Sequence, residues 1–266
     1  MHFFEALILG IVQGLTEFLP VSSSGHLELA SYLLNIEGEE NLLFSIIVHA
    51  ATALSTIVVF RKDIADLIKG LLAFKYNSET EFVAKIVLSA IPLAVVGLLF
   101  EEQINELFSG NILIVGSALL FTSFLLLLTF YVRRPGGPVT YRKAIFIGLA
   151  QTLAVMPGLS RSGTTIATAL LIGVDREKAA RFSFLMVLIP ILGAAFLKFL
   201  NYLQHPEMGG GIQFSALLTG FIAAFLAGLA ACSWMINIVK NGKLTYFAAY
   251  CALAGLLAIG SFYLNL

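Results

Sequence analysis

The chain has 266 residues, of which 59% are hydrophobic and only 12% charged, and its mean hydropathy is +0.93. Soluble domains carry about 25% charged residues, so this composition excludes a soluble globular domain and indicates an integral membrane protein. The 16 basic and 16 acidic residues cancel, which leaves no global electrostatic case for a nucleic-acid partner.

In chain order, Met1-His2-Phe3-Phe4-Glu5 lacks a basic region and no Ala-x-Ala site follows, so the N-terminus is expected to be retained rather than cleaved as a signal peptide. A spanning helix needs about 20 apolar residues. Six stretches qualify, near 42–60, 82–100, 112–132, 182–203, 212–235 and 244–264. Two further apolar segments, 3–35 and 143–174, are interrupted by Pro20-Val21-Ser22-Ser23-Ser24-Gly25 and by Pro157-Gly158-Leu159-Ser160-Arg161-Ser162-Gly163. Their arms are too short to cross a bilayer comfortably and carry Pro and Gly at the break, which predicts two re-entrant helical hairpins. One long kinked helix per segment is the alternative. Cys232 and Cys251 lie in apolar runs without metal-ligand spacing and read as small buried hydrophobes.

If each hairpin returns to its own side, the loops at 61–81, 133–143, 175–181 and 236–243 share one face of the membrane. They hold Arg61, Lys62, Lys69, Lys75, Arg133, Arg134, Arg142, Lys143, Arg176, Lys178, Arg181, Lys240 and Lys243, whereas the opposite loops and both termini have no Lys or Arg. The positive-inside rule makes the basic side cytoplasmic and both termini external. The external loops carry Glu37, Glu39, Glu40, Glu101, Glu102 and Glu106. Each hairpin is followed by three spans, an odd number, so the second set enters upside down. The expected fold is therefore an all-α membrane domain, 1–266, of six transmembrane helices and two hairpins. Repeat one covers 1–132 and repeat two 143–266, as an inverted-topology pair of the kind that places polar sites at mid-membrane.

The two interruptions are themselves related. At an offset of 138 residues Gly10, Gln13, Ser22, Ser24 and Gly25 fall on Gly148, Gln151, Ser160, Ser162 and Gly163, while Ser23 faces Arg161 and His26 faces Thr164. A charged side chain at the bilayer centre costs about 2.5–3.5 kcal/mol on insertion scales, so Glu17 and Arg161 need a partner or a purpose. A structural Glu–Arg lock between the repeats is the plain alternative. Each loop precedes a helical arm, expected to start near Leu27 and near Thr165. Free N–H groups, helix dipoles and the hydroxyls of Ser22, Ser24, Ser160, Ser162, Thr164 and Thr165 then converge, with Gly25 and Gly163 allowing close approach, as an anion requires. Capping is the default reading for any one serine. Arginine points to phosphate among anions. Gln13 and Glu17 share a helix face. Glu17, Ser23 and His26 offer a nucleophile, a base and an orienting acid, with Arg161 to neutralise transition-state charge; spacing alone leaves their roles open. Oxygen ligands such as Glu17 also suit a divalent cation. His49, in a span, reads as a satisfied core histidine, and Glu28, two residues past His26, as lining the cavity. Lys198 is expected to snorkel outward, and His2 and His205 to be exposed.

The runs Gly10-Ile-Val-Gln-Gly-Leu-Thr-Glu-Phe-Leu-Pro-Val-Ser-Ser-Ser-Gly-His26 and Pro157-Gly-Leu-Ser-Arg-Ser-Gly-Thr-Thr165 resemble the two signatures of the bacterial undecaprenyl-pyrophosphate phosphatase (bacitracin-resistance) family. The likeness extends over essentially the whole chain. It implies dephosphorylation of a C55 isoprenoid pyrophosphate to the monophosphate carrier of cell-wall synthesis, with Mg²⁺ or Ca²⁺ support. It further implies a multi-pass protein of the bacterial plasma membrane, embedded in membrane lipids, with the site open to the outer face; a homodimer is a separate expectation. By that resemblance Gln13 and Glu17 match the (Glu/Gln)-x-x-x-Glu motif, the Gln variant weakening a two-carboxylate metal site. Ser22, Ser23, Gly25 and His26 match the second motif, and Arg161 is the phosphate clamp. A lipid-phosphate transporter or flippase is the rival reading, because broken inverted repeats also suit alternating access.

Overall fold

The computed structural model describes all residues except 35, 37, 101–102, 105–111, 133–135, 205–211 and 265–266. Glu37, Glu101, Glu102, Glu106, Arg133, Arg134 and His205 therefore lie outside the described residues, as do the side chains of Glu39, Glu40 and Lys198. The described chain is helical, with one isolated backbone bridge between Gly137 and Val174. The helices are α1 (Phe3–Phe18), α2 (Ser23–Leu33), α3 (Gly38–Val59), α4 (Arg61–Leu72), α5 (Ser78–Leu99) and α6 (Ile112–Leu128). After a short 3-10 turn come α7 (Tyr141–Leu153), α8 (Arg161–Leu171), α9 (Arg176–Met186), α10 (Leu188–Gln204), α11 (Phe214–Lys240) and α12 (Thr245–Leu264).

Among the described residues five helices are long and apolar enough to cross a membrane: α5, α6 with its 3-10 turn, the α9–α10 pair, α11 and α12. A sixth arises if Leu43–Val59 and Arg61–Leu72, bent by 78°, count as one span. Each lies over one of the six expected stretches. The protein is thus an all-α multi-pass membrane protein. The break between α9 and α10 at Val187 follows from Pro190, which has no N–H for the carbonyl of Met186 and crowds it.

Two differences from expectation are local. The stretch 61–81, read as a loop, contains α4, whose Leu67 is buried while Lys62, Lys69 and Ile68 stay outside. Helices α2 and α8 begin at Ser23 and Arg161, a turn earlier than read, because the serine before each acts as its cap. The Ser-Ser-Gly and Arg-Ser-Gly triplets therefore form the first helical turn instead of preceding it.

Both interrupted segments fold back on themselves: α1 packs on α2, and α7 on α8. In the second, the ends are tied together, since Gly137 N–H donates to Gly173 O at 3.0 Å and Asp175 N–H to Gly137 O at 2.9 Å. The hairpins then exchange partners between the halves of the chain. Helix α1 packs along α11, and α7 packs along α5. Glycine makes each approach possible. A Cβ on Gly10 would sit 2.5 Å from Gly220 O, and one on Gly148, its equivalent at the offset of 138, would sit 2.3 Å from Ser89 O. Helices α6 and α12 pack on each other, the last span of one half against the last of the other.

Candidate active site

The two tips interlock. A Cβ on Gly163 would lie 3.1 Å from Pro20 Cβ, and Gly25 lies close to the Cα of Gly158, which has φ +83°. Ser162 Oγ donates across the gap to Leu19 O at 3.1 Å, and Ser160 N–H donates to Thr122 Oγ1 on α6 at 3.2 Å. From the other side Cys251 of α12 gives its S–H to Pro20 O at 3.3 Å. Ser22, in the left-handed region at φ +72°, sits at the turn. For a residue with a Cβ that conformation costs about 1–3 kcal/mol, which surrounding contacts have to offset.

The serines repeat their geometry. Ser22 Oγ lies 3.3 Å from Ser24 Oγ, and Ser160 Oγ lies 3.3 Å from Ser162 Oγ. Ser22 Oγ accepts from Gly25 N–H at 3.5 Å, and Ser160 Oγ from Gly163 N–H at 3.1 Å. Thr165 Oγ1 donates to Arg161 O, while Thr164, 2% exposed, has no side-chain partner among the described residues.

Between the tips sits Glu17, its side chain 5% exposed. Arg161 Nη2 donates to Oε1 at 2.9 Å. Oε2 accepts from Ser23 Oγ at 2.8 Å and from Gln13 Nε2 at 3.0 Å. The structure therefore joins Gln13, Glu17, Ser23 and Arg161 into one cluster, with the symmetry-related Ser23 and Arg161 on the two oxygens of a single carboxylate. A cavity of about 20 Å³, room for about one water, adjoins it and is lined by Glu17, Arg161, Thr165, Thr52, Thr56 and Ser183 among others.

His26 is beside this cluster but turned away from it. Its Nδ1 faces Ser22 O at 2.8 Å. A carbonyl only accepts, so Nδ1 carries the proton, and in the neutral ring Nε2 is left as an acceptor. Nε2 lies 2.6 Å from Tyr250 Oη of α12, and the two rings stack with centroids 5.7 Å apart. Tyr250 had no sequence signal beyond being an aromatic residue in an apolar span. His49 is not the core histidine its place in a span suggested. Its Nδ1 is 2.8 Å from Ser45 O, and its Nε2 is 3.9 Å from Glu17 Oε2, on the edge of the cluster. Glu28 is exposed on α2.

A buried carboxylate that accepts a serine hydroxyl, beside an arginine and two helix N-termini, can take a proton from that hydroxyl and hold an anion. Among the described residues no group of three His, Cys, Asp or Glu side chains is placed to hold a metal ion, and the Glu17 oxygens are already shared by Arg161, Ser23 and Gln13. These residues do not fit a resident metal.

The profile of the family described as "Bacitracin resistance protein BacA" matches residues 6–257. A protein of Christiangramia forsetii named undecaprenyl-diphosphatase is 55% identical over 97% of this chain and 98% of its own length. One of Bacteroides fragilis with the same name is 52% identical over 97% and 98%. One of Salinibacter ruber, also so named, is 41% identical over 96% and 97%. With the interlocked hairpins and the buried Glu17 cluster in place, the match over nearly the full length is decisive: the chain belongs to the bacitracin resistance protein BacA family.

Proposed function

We propose that this chain hydrolyses the terminal phosphoanhydride of a polyprenyl pyrophosphate, undecaprenyl pyrophosphate foremost, to the monophosphate and inorganic phosphate. The reaction returns a lipid carrier to cell-wall synthesis and underlies bacitracin resistance. The observation that carries this reading is the Glu17 carboxylate, which holds the Ser23 hydroxyl and the Arg161 guanidinium between two helix N-termini inside a membrane protein. In this scheme the pyrophosphate head occupies the first turns of α2 and α8. Arg161 keeps one nitrogen on Glu17 and turns its remaining donors to the phosphoryl oxygens, supplying the charge stabilisation on which phosphoryl transfer depends. Ser23 Oγ attacks the terminal phosphorus and the bond to the bridging oxygen breaks. The polyprenyl monophosphate departs, and Glu17 Oε2 takes the hydroxyl proton. Water then cleaves the phosphoserine, releasing phosphate, and Ser23 recovers its proton. Ser23 is preferred to His26 as nucleophile because its hydroxyl already points at a base, whereas His26 Nε2 points at Tyr250. A divalent cation, Mg²⁺ or Ca²⁺, would enter with the pyrophosphate head and offset its charge, since the described residues offer it no cage of their own.

We place the protein in the bacterial plasma membrane with both termini outside. Its hairpins re-enter from opposite sides as inverted repeats 1–132 and 143–266, and the site opens to the outer face. The asymmetry of Lys and Arg supports this orientation. A homodimer is a further proposal. The test is inorganic phosphate release from undecaprenyl and farnesyl pyrophosphate by detergent-purified protein, with and without Mg²⁺ or Ca²⁺. Release that Arg161→Ala lowers by about 10²–10³-fold supports the reading. Folded wild-type protein that releases no phosphate under any condition overturns it in favour of a lipid-phosphate transporter.

A further inference from the structure

The substrate of the proposed reaction has two parts, and the cluster at the tips accounts for only one. A polyprenyl tail bonded to a head at Glu17, Ser23 and Arg161 has to leave the site through a lipid-facing opening. One seam beside the site has the right construction. Helix α2 packs on α1 and α12 packs on α6, with no close helix-to-helix packing between α2 and α12 among the described residues. What bridges them is the His26–Tyr250 pair, in which Tyr250 is 45% exposed. A polar pair left open on the apolar flank of a membrane protein is costly unless something uses it.

From this pair two apolar stripes run in the same direction. On α2 the face of His26 continues, at helical spacing, through Leu29 and Leu33, both exposed; on α12 the face of Tyr250 continues through Leu253 and Leu257, likewise exposed. The two helices climb in the same sense. Pro20, just before α2, lies against Cys251, whereas Gly25 lies against Val115, whose neighbour Gly116 packs on Gly255 and Ile259 further along α12. Both stripes lead back to the His26–Tyr250 pair and, one helical turn earlier on α2, to Ser23. Exposed leucines alone are ordinary on a lipid-facing helix. Two stripes of them that converge on a histidine beside the proposed nucleophile are not.

We infer that the α2–α12 seam is the binding groove for the polyprenyl tail: the chain lies along Leu29 and Leu33 on one side and Leu253 and Leu257 on the other, and the head turns inward at His26 and Tyr250. The inference rests on the phosphatase reading, and the test separates the two. Leu29→Trp and Leu253→Trp would be compared with Leu226→Trp on α11, a leucine that is also exposed but lies outside the seam. All three are lipid-facing substitutions, outside the catalytic cluster. With undecaprenyl pyrophosphate, the two seam variants should raise KM by about tenfold, the effect of losing one or two buried methylene contacts. Their kcat should hold, and Leu226→Trp should match wild type. Unchanged KM in the seam variants, or an equal rise in Leu226→Trp, overturns the groove. A polyprenyl pyrophosphate bearing a diazirine in its tail gives an arm that needs no turnover. Labelling confined to α2 and α12 supports the groove, and labelling centred on other helices overturns it. Wild-type protein that is labelled at the seam but releases no phosphate keeps the groove and removes the phosphatase.

Discussion

The two hairpin tips share a frame and differ in chemistry. Both begin their second helix on a serine cap, and both hold a second serine hydroxyl 3.3 Å from the first. Both arms lean on a span of the other half through a glycine that admits no Cβ. Within that common frame, repeat one carries Glu17 and His26 where repeat two has Val155 and Thr164, and repeat two carries Arg161 where repeat one has Ser23. The glutamines show the consequence. Gln13 donates to Glu17 at 3.0 Å, whereas the equivalent Gln151, 1% exposed, finds no carboxylate and has no side-chain partner among the described residues. In the proposed scheme the two turns are a duplicated pair that binds the anion, with the base and the nucleophile on one and the positive charge on the other, so neither tip is complete alone.

Substitutions can break that comparison at graded cost. The largest effect is expected at Ser23: Ser23→Ala should lower kcat by at least ~10³-fold, as loss of a nucleophile does, whereas Ser162→Ala on the opposite tip should leave most turnover intact. Phosphate release by purified variants checks both, and near-equal losses would mean that the tips act symmetrically. The packing glycines come next. Gly148→Val has to displace the backbone of Ser89, and Gly10→Val that of Gly220, so each should destabilise by about 1–3 kcal/mol or more. Thermal unfolding in detergent reads the loss; an unchanged midpoint would contradict the close approach of α7 to α5 and of α1 to α11. The smallest pair involves the glutamines. Gln151→Met removes a buried amide without partners and should be neutral or stabilising, by up to about 1–3 kcal/mol, with activity retained. Gln13→Met should instead lower kcat, because it frees Glu17 on one side. A loss of activity in Gln151→Met would give repeat two a chemical role that this account does not assign.

Much of this arrangement was legible before any coordinates. Pro20 and Pro157 announce breaks because a proline lacks the helical N–H and crowds the preceding turn, and the 138-residue register pairs the breaks. Glu17 and Arg161 stand out because isolated charges in apolar sequence need partners, and they turned out to be each other's partner. The start of α2 and α8 was misplaced by a turn because a serine in such a run reads equally as loop or as cap; only the bonds to Gly25 and Gly163 decide. Helix α4 was hidden by its own basic residues, which satisfy a topology rule whether or not they are helical. His49 and Tyr250 were illegible for a different reason. Their significance lies in contacts with Glu17 and His26 made by distant stretches of chain, and the local sequence around each is that of any apolar span.

The central claim is that the Glu17 carboxylate, held between Ser23 and Arg161, is the base for hydrolysis inside the membrane. The most direct measurement is kcat for phosphate release from undecaprenyl pyrophosphate by purified Glu17→Gln, alongside its thermal unfolding. Gln preserves the shape of the side chain and can still bond Ser23, but it cannot take the proton. A fall in kcat of about 10³-fold or more in a protein that remains folded is the predicted result. Turnover close to wild type in folded Glu17→Gln would contradict the account.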